Sequence, residues 1–164
     1  MRYKKLYLLL SLFLFFTPVK SETEYTLYSG TFDTIDKEGD EKATLYGFEH
    51  NNPILFRETF IGKFSPITGG FVTDKSSIYL YTGVQAEYEV GFLNIVPSFA
   101  PGYYEEGNGK DLGMALEFKS EIKLSFDIFQ NSKVGYSYSH ISNNDWGTIN
   151  PGTNNQIVSF SKTF

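Results

Sequence analysis

Seventeen residues from Leu112 to Ile128 alternate between two kinds of side chain, and this pattern limits the folds open to the chain more than any other feature. Leu112, Met114, Leu116, Phe118, Ile122, Leu124, Phe126 and Ile128 share one parity, broken only by Ser120. Gly113, Ala115, Glu117, Lys119, Glu121, Lys123, Ser125 and Asp127 share the other. A period of two is that of a β-strand with unlike faces. A second run puts Ile78, Leu80, Val84, Ala86, Tyr88 and Val90 opposite Tyr79, Tyr81, Gly83, Gln85, Glu87 and Glu89. Strands of this length exceed the usual five or six residues of soluble sheets and match the roughly 9–11 that cross hydrocarbon in a barrel. Acids and bases alternate on the polar faces, as a narrow lumen filled by ion pairs requires. The solvent side of a soluble antiparallel sheet would carry the same pattern.

The N-terminus bears on the choice. Arg2, Lys4 and Lys5 precede an almost unbroken apolar run from Leu6 to Phe16, and Pro18 and Val19-Lys20-Ser21 follow it. About eleven apolar residues fall short of the ~20 of a spanning helix and fit a cleavable secretory signal over residues 1–21. The domain expected to fold is then 22–164, long enough for one domain and too short for two. It keeps ten basic residues against nineteen acidic ones, because the leader takes four cations and no acid. So acidic a chain is a poor partner for nucleic acid. Without cysteine there is no disulfide framework, no thiolate metal or redox site and no lipid anchor on a thiol.

We therefore expect an all-β fold, an eight-stranded antiparallel transmembrane β-barrel. Its strands should lie near 24–33, 42–50, 61–73, 77–90, 92–105, 112–128, 133–144 and 154–164. Polar connections at 34–41, 74–76, 106–111 and 145–153 should gather at one end, expected to be extracellular. Tight links at Gly91 and 130–132 belong at the other. The connection 51–60, longer and more apolar, has no assigned role. Val158, Phe160 and the final Phe164 share a parity, as at the C-terminus of bacterial outer-membrane barrels, although Lys162 interrupts it. His50 reads as an interfacial residue. Trp146, Tyr103 and Tyr104 read as an aromatic girdle at the outer rim.

One strand carries chemistry. His140 and Ser142 share a parity with Val134, Tyr136 and Tyr138, whereas Gly135, Ser137 and Ser139 face the other way. In a membrane barrel that greasier face touches lipid. A serine hydroxyl is a poor nucleophile until a base such as imidazole removes its proton, so this pair is a candidate base and nucleophile. The structural alternative is two ordinary interfacial side chains.

The stretch His140-Ile141-Ser142-Asn143, followed by Asn150-Pro151-Gly152 and a strand running to the C-terminus, resembles the PagL-type lipid A 3-O-deacylases, acyloxyacyl hydrolases of the outer membrane. The resemblance is specific over 134–164 and looser over the rest of the barrel. It implies an outer-membrane esterase of a Gram-negative bacterium that removes a 3-O-linked hydroxyacyl chain from lipid A. Ser142 would be the nucleophile, His140 the general base and Asn143 the oxyanion donor. The family's glutamate falls on Asn154, which accepts a hydrogen bond but brings no negative charge; Asp145 is an alternative third partner. Neither metal nor cofactor is implied, and the partner is lipopolysaccharide in the outer leaflet. Pairing into a homodimer stays open. Two other readings remain: a degraded or structural barrel, which Asn154 favours, and a soluble periplasmic barrel with a ligand inside.

Overall fold

The computed structural model describes residues 22–35 and 41–164. The expected leader, residues 1–21, and the middle of the expected loop 34–41 lie outside them. Strands β1 (Glu24–Phe32), β2 (Ala43–Asn51), β3 (Arg57–Thr59), β4 (Gly62–Thr73), β5 (Ile78–Ala86), β6 (Tyr88–Val90), β7 (Leu93–Glu105), β8 (Leu116–Phe129), β9 (Ser132–Ser142) and β10 (Thr153–Thr163) follow in order. Every neighbour is antiparallel, and β1 pairs with both β2 and β10, so the sheet closes. β5 and β6 continue one another along β7 in a single register, separated only at Glu87. With β3 counted as an appendage of β4, the wall is an eight-stranded barrel. Closure leaves the wall without an open sheet edge, the condition for a sheet to cross lipid.

Connections alternate between two ends. The β1–β2, β4–β5, β7–β8 and β9–β10 links share one end, which we call the loop end. The other, the turn end, holds two-residue links at 91–92 and 130–131 and the pairing of Thr23 with Phe164. Asn131, at φ 58°, supplies the left-handed residue that a two-residue hairpin turn demands.

Parity divides the side chains as alternation requires. Leu27, Tyr46, Leu80, Ile122, Tyr136 and Val158 are exposed on the outer wall, while Glu49, Tyr81, Lys119, Lys123 and Ser137 are buried inside. The interior is layered. Near the loop end an apolar plug of Phe32, Leu45, Phe71, Tyr79, Tyr104, Leu112 and Ile141 fills the barrel. Below it lies a polar layer. Glu49 accepts a hydrogen bond from the Tyr81 hydroxyl at 2.7 Å and faces Lys119 at 3.6 Å and Lys123 at 3.7 Å. Lys119 also meets Glu121 at 3.2 Å and lies 3.9 Å from the centre of the Tyr81 ring. The residual void in this layer is about 10 Å³, barely one water. No ligand chamber exists there, and the interior offers a lipid no passage.

Several expectations need correction. Leu112 is buried in the plug, whereas Leu116, Ile122, Leu124, Phe126 and Ile128 on the same nominal face are exposed, because β8 begins only at Leu116. Adjacent residues of a strand cannot both face outward. Tyr103 is exposed, but Tyr104 points inward, stacks on Phe32 and donates its hydroxyl to Lys110 O at 2.7 Å. Ala86, placed on the outer face by alternation, is buried where β5 breaks. The unassigned stretch 51–60 contains β3, folded back on β4.

Above the plug, Lys110 of the β7–β8 loop bridges Asp33 at 2.8 Å and Glu41 at 3.1 Å, joining the residue after β1 to one that precedes β2. Burial disfavours the Lys110 charge, but hydrogen bonds to Asp33 and Glu41 and their fields outweigh it and raise its pKa. A raised folded-state pKa means that the contribution is complete below the unfolded lysine value. It disappears as pH climbs through the folded value, above roughly pH 10.4. Lys110→Met should therefore cost roughly 1.5–3 kcal/mol at neutral pH, with the difference from the parent shrinking in strong alkali, as thermal unfolding at both pH values will report. Within the barrel, Glu49→Leu leaves the buried Lys123 ammonium without its ion-pair partner, while Lys119 keeps Glu121, and should cost about 3–5 kcal/mol. The readout is a lower temperature at which the fast-migrating folded band converts in a gel.

Candidate active site

β9 brings His140 and Ser142 out through the wall near the loop end. Ile141 between them is fully buried in the plug, and Ser139 and Asn143 are buried on either side. Their shared parity holds as expected. The cross-strand partner of His140 is Asn154 on β10 and Ser120 on β8; that of Ser142 is Phe118.

The imidazole is held from two sides. Its Nδ1 lies 2.9 Å from Asn154 Oδ1. An amide oxygen can only accept, so this contact places the proton on Nδ1 and the lone pair on Nε2. Gly152 lies against the ring: a Cβ at this position would come within 3.0 Å of His140 Cε1 and 3.4 Å of Nε2. Its φ is 60°, a conformation that glycine adopts freely. The Asn150-Pro151-Gly152 turn thus lends its last residue to the imidazole. Asp145, the alternative partner, is engaged elsewhere, accepting from Asn150 Nδ2 at 2.9 Å.

Behind Asn154, its inward neighbours are fastened in place. Asn155 is fully buried; its Nδ2 donates to Ser139 Oγ at 3.2 Å and its Oδ1 accepts from Asp33 N at 3.1 Å. Thr153 Oγ1 donates to the same Oδ1 at 3.2 Å. The Asp33–Lys110 clasp therefore also anchors the strand that presents Asn154.

The Ser142 hydroxyl has no hydrogen-bond partner among the described residues. It borders an outward-opening groove of about 380 Å³, lined by Phe99, Phe118, Ser120, Ser142, Asn144 and Trp146. Phe99 stacks on Phe118 at 6.1 Å, and Trp146 meets Phe118 edge-on at 5.3 Å. Trp146, expected in a girdle, is thus part of the groove wall. Ser120 was legible only as the one break in an apolar face. It is the polar residue that leaves space opposite His140.

Asn143 departs from its expected role. Its side chain faces inward and is fully buried. Nδ2 donates to Leu112 O at 2.7 Å and Ile149 O at 2.8 Å, so both amide hydrogens are used. They hold the β7–β8 loop against the β9–β10 loop, where Gly113 fits so closely to Ile149 O that a Cβ would stand 2.1 Å away. Among the described residues the Glu117 carboxyl, also fully buried, has no hydrogen-bond partner, and neither does Asn143 Oδ1. Among the described residues no cluster of metal-ligating side chains occurs.

These features define a class: a small outer-membrane-type barrel with a serine, an imidazole and an amide on its outer wall. The sequence model of lipid A 3-O-deacylase (PagL) matches residues 44–163, and the chain belongs to that family. The fold agrees. The crystal structure of the outer membrane enzyme PagL superimposes with a TM-score of 0.64 at 14% identity, covering 85% of this chain and 98% of that one. Neisserial surface protein A gives 0.53 at 9%, over 87% and 97%. The Yersinia pestis outer membrane protein Ail gives 0.52 at 12%, over 88% and 99%. At such identities these likenesses speak for architecture alone. A search of curated protein sequences gave no match.

The geometry makes Asn143 the pin of the loop beside Ser142. Asn143→Ala strands two carbonyls, at about 1–3 kcal/mol each where they stay dry. Limited proteolysis should cut the 143–152 loop much faster in the variant, with the barrel strands still resistant.

Proposed function

We propose that this protein hydrolyses the 3-O-linked hydroxyacyl ester of lipid A in the outer leaflet of a Gram-negative outer membrane. Family membership supplies the reaction class. The observation that carries the reading is the emergence of His140 and Ser142 on the outward wall, with His140 braced by Asn154 and Ser142 beside an apolar groove. A lipid substrate already lies against that wall, so the filled interior is no obstacle. In this reading residues 1–21 are the export signal and the loop end faces outside, at the level of the lipid A sugars.

His140 Nε2 accepts the proton of Ser142 as its Oγ attacks the ester carbonyl. The tetrahedral intermediate collapses to an acyl-serine, and the imidazolium returns the proton to the departing sugar oxygen. Water, deprotonated by the same imidazole, then releases the fatty acid and restores Ser142. Two residues of one strand stand about 6.6 Å apart along it, and catalytic contacts of this kind tighten in the substrate complex. The groove of Phe99, Phe118 and Trp146 would take the acyl chain. Asn143 acts on the oxyanion indirectly in this scheme: it fixes the loop from which Asn144, lining the groove, offers donors to the negative oxygen.

Asn154 sets the rate. It holds the imidazole in the useful tautomer but gives the imidazolium no counter-charge. Replacing the buried aspartate of a serine protease by asparagine costs about 10⁴-fold, largely through the wrong tautomer; here the amide oxygen preserves the tautomer and only the charge is missing. Asn154→Glu should therefore raise the deacylation rate, by roughly 10-fold or more on that comparison. Ser142→Ala should abolish it. Lipid A mass profiles of outer membranes bearing each variant check both. If Ser142→Ala leaves the deacylated species undiminished, the assignment is wrong. Asn154 also favours a second reading, a barrel that has lost its chemistry; inactive parent protein with activity restored by Asn154→Glu is the result that reading expects.

A further inference from the structure

The turn end carries a feature that no catalytic step uses. β4 begins five residues before its first pairing with β2 at Ile67, and with β3 it forms a hairpin whose two-residue tip is Phe60-Ile61. Ile54, Leu55, Phe56, Phe60 and Ile61 are all exposed, Phe60 completely. Five large apolar residues open to solvent within eight positions are rare on a surface that meets only water. Nor is the hairpin loose. Thr59 Oγ1 donates to Gly62 O at 2.9 Å and accepts from Ile61 N at 3.3 Å. Asn52 Oδ1 accepts from the Ile54 and Leu55 amides at 3.1 and 3.4 Å. Tyr88, on the outward face of β6, donates its hydroxyl to Ile61 O and ties the tip to the lipid-facing wall.

We propose that this hairpin is a membrane anchor seated at the headgroup–acyl boundary of the phospholipid leaflet at the turn end. Continuity and charge both name that occupant. The hairpin prolongs a wall whose outer face already meets hydrocarbon, and Tyr88 joins the two. Its cations, Arg57 and Lys63, outnumber its one acid, Glu58. Lys63 Nζ lies 3.8 Å from the centre of the Phe56 ring. An ammonium over an aromatic face, beside aliphatic side chains, is the arrangement by which a basic residue reaches lipid phosphate while its neighbours enter the acyl region. Phe92, Phe129 and Phe164, exposed at the other turn-end positions, complete an aromatic level at the same end. The hairpin is the one-sided part of it. It lies under β4, across the barrel from β9.

A chain without cysteine permits a clean test. Phe60→Cys and, separately, Leu55→Cys are labelled with a nitroxide in the full protein reconstituted in phosphatidylethanolamine–phosphatidylglycerol vesicles. Val158→Cys on the wall and Asp145→Cys in a loop give the lipid and water references. The measured quantity is the ratio of collision with oxygen to collision with a water-soluble nickel chelate. Seating in the leaflet requires ratios at 60 and 55 severalfold above the Asp145 reference. Ratios equal to that reference overturn the proposal. So does shielding from both reagents, the sign of a second copy or another protein on the hairpin.

Discussion

Lipid offers no hydrogen bonds, and from that single constraint the rest of this molecule follows. A sheet in hydrocarbon must close so that no edge is left, and closure gives each strand one face inward and one outward. In so narrow a barrel the inward face must fill itself. It does so with the Glu49, Lys119 and Lys123 network in the middle and the Phe32, Tyr79 and Leu112 plug near the loops. Chemistry aimed at a lipid is left only the outward face, and there β9 presents His140 and Ser142.

The site borrows its rigidity from the interior. Each outward residue of interest is flanked by buried ones: Ile141 between His140 and Ser142, Thr153 and Asn155 around Asn154. A strand held by its inward side chains cannot roll, so the outward ones keep their spacing. Loop residues add the remaining constraints. Gly152 abuts the imidazole, Asn143 joins two loops, and Lys110 clasps Asp33 and Glu41.

Much of this was legible in the sequence wherever a strand was regular. The eight wall strands, the shared face of His140 and Ser142 and the inward ion pairs all follow from a period of two. Where the strand stops, the period carries no information. Leu112 lies four residues before β8 begins and turns into the plug. Asn143 lies one residue past the end of β9 and is consumed by backbone carbonyls that no pattern reveals. Tyr103 and Tyr104 share a chemistry that suggests one girdle, but parity sends them to opposite faces. Arg57–Thr59 is too short for alternation to show, and its hairpin depends on pairing with Gly62–Phe64. Ser120 was visible as an interruption, but its partner across the ladder was not.

The packed interior has a physiological consequence. With a void of only about 10 Å³ in the polar layer and an apolar stopper above it, water cannot form a continuous column from one end to the other. Among its described residues such a barrel holds no open channel. A bacterium could therefore place many copies in its envelope without opening the permeability barrier to ions or small toxic solutes.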